Sequence, residues 1–321
     1  MSRTILFLAL TFIALFVVSL QVGRMLFPIW SAVSSPVYRT IVVDVRLPRI
    51  LAASLAGASL ALAGAVFQNV FRNYLAGPGI LGTTSGAAFG AAVAILLAPL
   101  TTVTVQLSSF SLGLAATMLS CSLARLVGES TLALVLSGMV VSALFSAGLG
   151  VIKYVADPYN KLPAIVYWLL GSFSGVRWCD LASSAPLMVL SALLIVSARW
   201  VLNVLSLSDE EAQSLGLSVR RWRMFFVALA TLGTSASVSI AGMIAWIGVL
   251  SPHIARLVAG HDARSLVPST ALVGALLLLA CDDIARSVSP AEIPISIVTH
   301  VVGAPTLFAI LMRRRMYLAK D

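Results

Sequence analysis

The sequence predicts an all-α, polytopic membrane protein of about ten transmembrane helices, and three observations carry that prediction. Hydrophobic residues make up 60% of the 321 residues and charged ones only 10%, with a mean hydropathy of +1.02. Apolar runs of roughly 20 residues, the length that crosses a bilayer core, recur from end to end and leave no room for a separate soluble domain. The runs are continuous rather than alternating, which selects helices over a barrel. The whole chain, 1–321, is therefore read as one transmembrane domain.

The first span covers about 4–22. It could pass for a signal peptide, but no small-x-small cleavage site follows, so it is read as a helix entering from the cytoplasm. A loop with Arg24, Arg39 and Asp44 comes next. The second span starts after Arg46-Leu47-Pro48-Arg49 and runs to about Val70, with Ala56, Gly57, Ala63 and Gly64 allowing close approach of neighbouring backbones. Spans three, four and five are placed at about 80–98, 104–124 and 131–152. The apolar segment 164–173 is half a crossing, read as a short outer or re-entrant helix. Span six is placed at about 182–201, and spans nine and ten at about 269–281 and 294–312.

Region 224–260 is far too long for one crossing of about 30 Å and tight for two. Charge decides. Two crossings place Arg313-Arg314-Arg315 inside, together with most of the 21 basic residues, as the positive-inside rule requires. The same rule accounts for the net charge of +9, which in a soluble protein would suggest nucleic acid. No nucleic-acid partner is expected, and both termini are placed in the cytoplasm.

The longest polar interruption is RWVLNVLSLSDEEAQSLGLSVRRWRM, 199–224. Ser208-Asp209-Glu210-Glu211 has the form of a capping box, in which Ser208 and Glu211 satisfy each other's backbone N–H groups. Gly216 sits where a helix ends, and Ser218 can cap a second helix beginning Val219-Arg220-Arg221. Helices this short are unstable alone in water. The stretch is either a solvated loop resting on neighbouring spans or a docking knob for a soluble subunit.

What the chain lacks is equally informative. No span carries an acidic residue or lysine near its middle, where an ion-coupled carrier needs one. None of the three lysines follows a glycine, so there is no P-loop. Cys121, Cys179 and Cys281 have no paired spacing, so no metal site is indicated. His300 lies at depth and is read as a structural histidine bonded to a neighbouring helix, with the same default for His253 and His261. Trp168, Trp178, Tyr154 and Tyr159 read as an interfacial aromatic belt.

Four blocks resemble the permease subunits of the ABC importers for iron–siderophore, haem and vitamin B12 (the FecCD type). They are RLPRILAASLAGASLALAGAVFQNVFRNYLAGPGILGTTSGAAFG (46–90), LVLSGMVVSALFSAGLGVIKYVADP with YWLLGSFSG (134–175), LSDEEAQSLGLSVRRWR (207–223), and 241–315, which begins AGMIAWIGVLSPHIARLVAGHD. The resemblance covers nearly the whole chain. It implies a vitamin B12-permease-like fold in the inner membrane and a second copy of the permease alongside. It also implies two cytoplasmic ATPase subunits that bind ATP and Mg, and a periplasmic or lipid-anchored substrate-binding protein. The chain itself would hold no cofactor and perform no catalysis.

Residue by residue, the resemblance makes Ser208, Asp209, Glu210, Glu211, Leu215, Gly216, Arg220 and Arg221 the contact to the ATPase. Arg46, Arg49 and Arg286 match positions that receive acidic residues of the binding protein. Asn73 and Leu75, with Ser130 and Thr131, match the cytoplasmic gate, and Ser137, Ser142 and Ser146 would line the path. The family usually has Asn-Pro-Leu in the gate turn, whereas here it is Asn73-Tyr74-Leu75, without proline's fixed φ. Specificity rests largely with the binding protein, so molybdate or tungstate is an alternative cargo, and an ion-driven secondary transporter is the rival of another class.

Overall fold

The protein was described from a computed structural model covering residues 3–23, 35–97, 101–128, 130–289 and 291–318. Arg24, named in the sequence reading, lies outside these residues. Every regular element among the described residues is helical. In chain order they are α1 (Arg3–Gln21), α2 (Pro36–Val70), α3 (Thr83–Leu97), α4 (Thr102–Val127), α5 (Thr131–Val155) and α6 (Lys161–Leu169). There follow α7 (Trp178–Ser197), α8 (Arg199–Leu205), α9 (Asp209–Ser214), α10 (Val219–Ala241), α11 (Ile247–Ala259), α12 (Ala263–Ser287) and α13 (Ile295–Leu318). Seven are long and apolar enough to cross a bilayer, and α3, α11 and α13 supply three shorter apolar helices. The ten predicted spans are thus present.

The bundle is built around α2. Its most apolar window is 83% buried, against 17% for the peripheral α1, and α7, α10, α11 and α12 all pack on it. The small residues predicted there make this possible. A Cβ on Gly57 would lie 2.3 Å from the Gly274 carbonyl oxygen of α12, and one on Gly274 would lie equally near the Gly57 oxygen. Gly64 approaches α11 closer still, with its notional Cβ 1.6 Å from the Gly248 oxygen. Two apolar layers surround α2. Ile50, Phe173, Met188, Ile240 and Leu278 fill one half, and Phe67, Phe71, Leu202 and Phe226 fill the other.

Three features depart from the sequence reading. First, α2 starts at Pro36 and passes through a π-helical turn, Ile41–Arg46, so Arg39 and Asp44 belong to a helix rather than a loop. Proline at the first helical position fits that start. Second, Ser218 makes no side-chain cap, and Val219 opens the full-length α10 instead of a second short helix. Third, the two crossings within 224–260 are unequal. α10 runs antiparallel to α2 and ends at Ala241, and Gly242 (φ +72°) turns the chain into a non-helical segment, 242–246. α11 then starts at mid-depth, where Gly248 meets Gly64, and finishes beside the C-terminal end of α2. Thirteen helical residues span only about 20 Å, and the irregular segment supplies the rest of the crossing.

Irregular backbone at membrane depth must find its hydrogen bonds within the protein. Here the Ser296 hydroxyl donates to Met243 O (2.7 Å), Ser172 N–H to Ala241 O (2.9 Å) and Ile295 N–H to Gly171 O (3.0 Å). Three loops therefore close on one another. Trp246, which opens α11, has φ +69°, and its ring meets His300 edge-on at 6.1 Å. His300 is exposed and its Nδ1 sits 2.6 Å from Ser296 O of its own helix, which corrects the expected bond to a neighbour. His253 makes a bond to a distant segment instead, with its Nε2 2.9 Å from Tyr74 O in the turn after α2.

Replacing Gly64 with valine should cost at least about 3 kcal/mol, because overpacking against a backbone carbonyl leaves nothing flexible to yield. Gly150→Ala, where nothing lies within 4 Å, should be neutral. Thermal unfolding of the two variants in detergent checks the contrast.

Candidate functional site

At the end of the bundle that carries 199–218, α9 is a short helix organised by its caps. Ser208 Oγ accepts from Glu211 N–H (3.2 Å), and Glu211 Oε2 accepts from both the Ser208 N–H (2.9 Å) and hydroxyl (2.8 Å), as the capping box predicts. These bonds hold the Glu211 carboxyl below its ordinary pKa. The C-terminus closes in a Schellman motif, with Leu217 N–H on Ala212 O (3.1 Å), Gly216 N–H on Gln213 O (2.8 Å) and Gly216 at φ +81°. Only Ala212 of α9 is buried, so Glu210, Leu215, Arg220 and Arg221 stand exposed around a conformation already fixed.

Asp209 ties this element to two others. Its carboxylate accepts from Arg72 Nη2 (2.6 Å), in the turn after α2, and from Arg223 Nη2 (3.2 Å) on α10. Arg72 also donates to the Leu207 carbonyl. Burial pushes the Asp209 pKa up, but Arg223 and Arg72 outweigh it and hold the group below the ordinary carboxylate range. The bridge is therefore intact at neutral pH and lost only as pH falls below the usual value of about 4.

The same turn, 71–79, is fixed from its other side. Arg72 has φ +47°, a conformation non-glycine residues rarely keep unless their surroundings impose it. Asn73 Oδ1 accepts from Leu75 N–H (2.9 Å), Arg256 lies 4.6 Å over the Tyr74 ring, and Arg256 donates to Gln68 Oε1 (2.7 Å). Tyr74 thus occupies the position where the family has proline by presenting a ring to Arg256 and a carbonyl to His253. Leu75 is exposed. Ser130 caps α5 by accepting from Ala133 N–H (3.0 Å), with Thr131 as its first helical residue.

At the opposite end, Arg46, Arg49 and Arg286 are not a free rim of charge. All three are buried. Arg49 donates to Asp282 from Nε (3.0 Å) and Nη2 (2.8 Å) and to Glu292 from Nη1 (2.9 Å). Arg286 pairs with Asp283 and donates to Ser19 O (2.7 Å), while Arg46 donates to Leu20 O (2.7 Å). The arginines expected to receive acidic residues of a partner are thus already held within the chain. The carboxylate partners of Arg49 and Arg286 lie in the same chain, and all three arginines line a cleft of about 200 Å³ with Glu292. Sequence reasoning identified the arginines but not Glu292, which reaches Arg49 from a loop 243 residues on.

The three serines expected along a path divide. Ser137 is buried beside Gly138, whose Cβ would lie 2.2 Å from Ile80 O, where α5 packs against the segment that leads into α3. Ser142 is half-buried near Gly82, and Ser146 is exposed. The free face of α5 is apolar, with Leu132, Leu136, Met139, Val140 and Leu144. Among the described residues no group of three or more His, Cys, Asp or Glu side chains could hold a metal.

Comparison with known proteins adds independent evidence. A model of the FecCD transport family matches residues 6–313. The chain is 41% identical over 297 residues to the molybdate import system permease protein MolB of Haemophilus influenzae, covering 91% of this chain and 87% of that protein. It is 38% identical over 278 residues to the cobalamin import system permease protein BtuC of Halobacterium salinarum, covering 86% and 74%. A solved structure described as an inward-facing conformation of a putative metal-chelate type ABC transporter superposes with a TM-score of 0.91 at 38% identity, covering 98% of this chain and all of that one.

Truncating Arg49 to alanine leaves the Asp282 carboxylate buried without its main partner and should cost about 3–5 kcal/mol. Pairing Arg49→Met with Asp282→Leu should recover most of that loss. Unfolding of the single and double variants in detergent measures both.

Proposed function

From the premise that the chain belongs to the FecCD transport family, and is a multi-pass membrane permease of the ABC-importer type, we propose that it carries a metal chelate of the iron–siderophore, haem or cobalamin class across the inner membrane. Two copies form the pathway, with N- and C-termini in the cytoplasm. ATP and Mg are bound and hydrolysed by two separate cytoplasmic subunits, and a substrate-binding protein delivers cargo at the far end, around the cleft of Arg46, Arg49 and Arg286.

The observation that carries the reading is the Asp209 bridge. An exposed, rigidly capped helix suited to receive a partner is ionically joined to the turn at the loop end of α2. Displacing Ser208–Gly216 therefore drags on Arg72, and through it on Asn73 and Leu75, the proposed cytoplasmic gate. Ser130 and Thr131 form its other side. An ion-driven carrier is disfavoured because Asp282, the most buried carboxylate among the described residues, is held by Arg49 at a helix end instead of standing protonatable at mid-depth.

Molybdate or tungstate is retained as a second reading because the relative that is 41% identical is a molybdate permease. Binding of ferric chelate versus molybdate by the delivery protein separates the two cargoes.

In liposomes containing the assembled complex, chelate uptake should require ATP. Gly216→Val forces a β-branched residue into the left-handed region at about 1–2 kcal/mol, and should reduce uptake about tenfold while the permease stays in the membrane. Asp209→Asn should lower uptake per ATP hydrolysed, without releasing the ATPase. Uptake that persists without nucleotide would refute the reading.

A further inference from the structure

We propose that His300 is a transient ligand for the metal of a passing chelate, so that the path favours cargo with an exchangeable coordination position. The inference rests on the reading above that two copies of the chain enclose a pathway, and it names the substrate class within that reading.

His300 is an ionisable side chain that stands exposed within a membrane span, on the same open face as Ile297 (45% exposed) and Val301 (69%). It lies one turn, about 6 Å, along α13 from Ser296, beside Trp246, the residue that opens α11 at mid-depth. A ring nitrogen turned to hydrocarbon would find no hydrogen-bond partner. Ionisable groups in spans accordingly face a bundle interior or a wet cavity. The adjoining backbone points the same way. Met243, Ala245 and Trp246 of the non-helical segment are each partly exposed, and irregular backbone at this depth survives only against protein or water. Both features mark this face as a wall of the aqueous path.

The ring is fixed, and its proton with it. Ser296 O can only accept, so Nδ1, 2.6 Å away, carries the proton and donates. In the uncharged ring Nε2 is then a bare lone pair, and no described residue donates to it. A backbone carbonyl on one ring nitrogen is the arrangement that sets up the other as a metal ligand. Trp246 holds the ring from the side, edge-on at 6.1 Å. Gly303 makes room for it, since a Cβ there would lie 2.6 Å from Trp246 Cβ. Trp246 itself is held at φ +69°, a strained conformation that persists only where the surroundings impose it.

A single ligand suits transit rather than storage. Nε2 gives its lone pair to the metal as a bound water leaves, and the exchange reverses as the cargo moves on. No proton or electron is transferred. A chelator that fills every coordination position offers this nitrogen nothing, and an oxyanion meets a lone pair instead of a donor. Open chelates with a displaceable water are the class selected.

The test titrates ferric protoporphyrin IX, which has axial positions to exchange, into the purified permease–ATPase complex and reads its absorption spectrum. Nitrogen ligation should shift the Soret band. His300→Ala should weaken this binding at least about tenfold, since losing even an outer-shell partner of a ligand costs that much. His300→Met should restore binding with the spectrum of a thioether ligand, which a merely structural ring would not produce. His261→Gln should leave the shift unchanged, and a hexadentate ferric hydroxamate should not compete. In a Cys179→Ser background of the reconstituted complex, His300→Cys should react with a charged, water-soluble methanethiosulfonate. No shift in the wild type, an equal shift in His300→Ala, full competition by the hydroxamate, or a cysteine modified only by a lipid-soluble maleimide each overturns the proposal. The nucleotide requirement of uptake reports on the importer reading separately, so the two fail distinguishably.

Discussion

Within a bilayer, apolar surface gains little by exchanging lipid for protein, so a helix bundle depends on how closely backbones can approach. That constraint decides the architecture around α2. Gly57 against Gly274 and Gly64 against Gly248 bring three helices to within carbonyl contact, and α7 and α10 pack on the platform they make, while α3, α4 and α5 pack on one another and join it through α10. The contacts are spread along α2, so its two ends are held in fixed relation. Motion is left to the parts that do not pack on it: the irregular turn after Val70, the loop bearing α9, and the lightly buried α5.

Charge is distributed on the same logic. At the far end, arginines and carboxylates from α2, α12 and a distant loop are gathered together and capped by Ser19 and backbone carbonyls of α1, an arrangement that is costly to break and therefore rigid. At the loop end, the Asp209 pairs are half-exposed on two of their three members. Exposed pairs contribute little stability, so this junction can break and re-form under modest load. The molecule pairs a stiff end with a yielding one, as the proposed drive by a cytoplasmic partner would require.

Much of the fold was legible in the sequence because its signals are local. Apolar runs, Ser208 three residues before Glu211, and Gly216 after α9 each declare themselves within a few positions. The misses share a cause. The half-length α11 depends on three loops satisfying one another's backbone, and nothing in 242–246 alone announces those partners. The pairings Arg72–Asp209 and Arg49–Glu292 join residues 137 and 243 positions apart, beyond any local pattern. Arg46, Arg49 and Arg286 were recognised as important, but a sequence cannot say whether a cation points outward or already has a carboxylate beside it. Ser137 is a similar case, since which face of α5 is covered depends on segments distant in sequence, with Ile80 packed against the neighbouring Gly138.

One carboxylate holding two arginines of unequal burial has a mechanical corollary. The Arg223 side chain is 11% exposed and anchored in α10, whereas that of Arg72 is 44% exposed and sits in a turn. Water competes for the second bond far better than for the first. Under tension the two links therefore yield in a set order: the Arg72 bond to Asp209 loosens before the Arg223 bond, while the Arg72 bond to the Leu207 carbonyl keeps the turn tied to the segment ahead of α9. Such a junction behaves as a ratchet pawl, with its order of release written into solvent access.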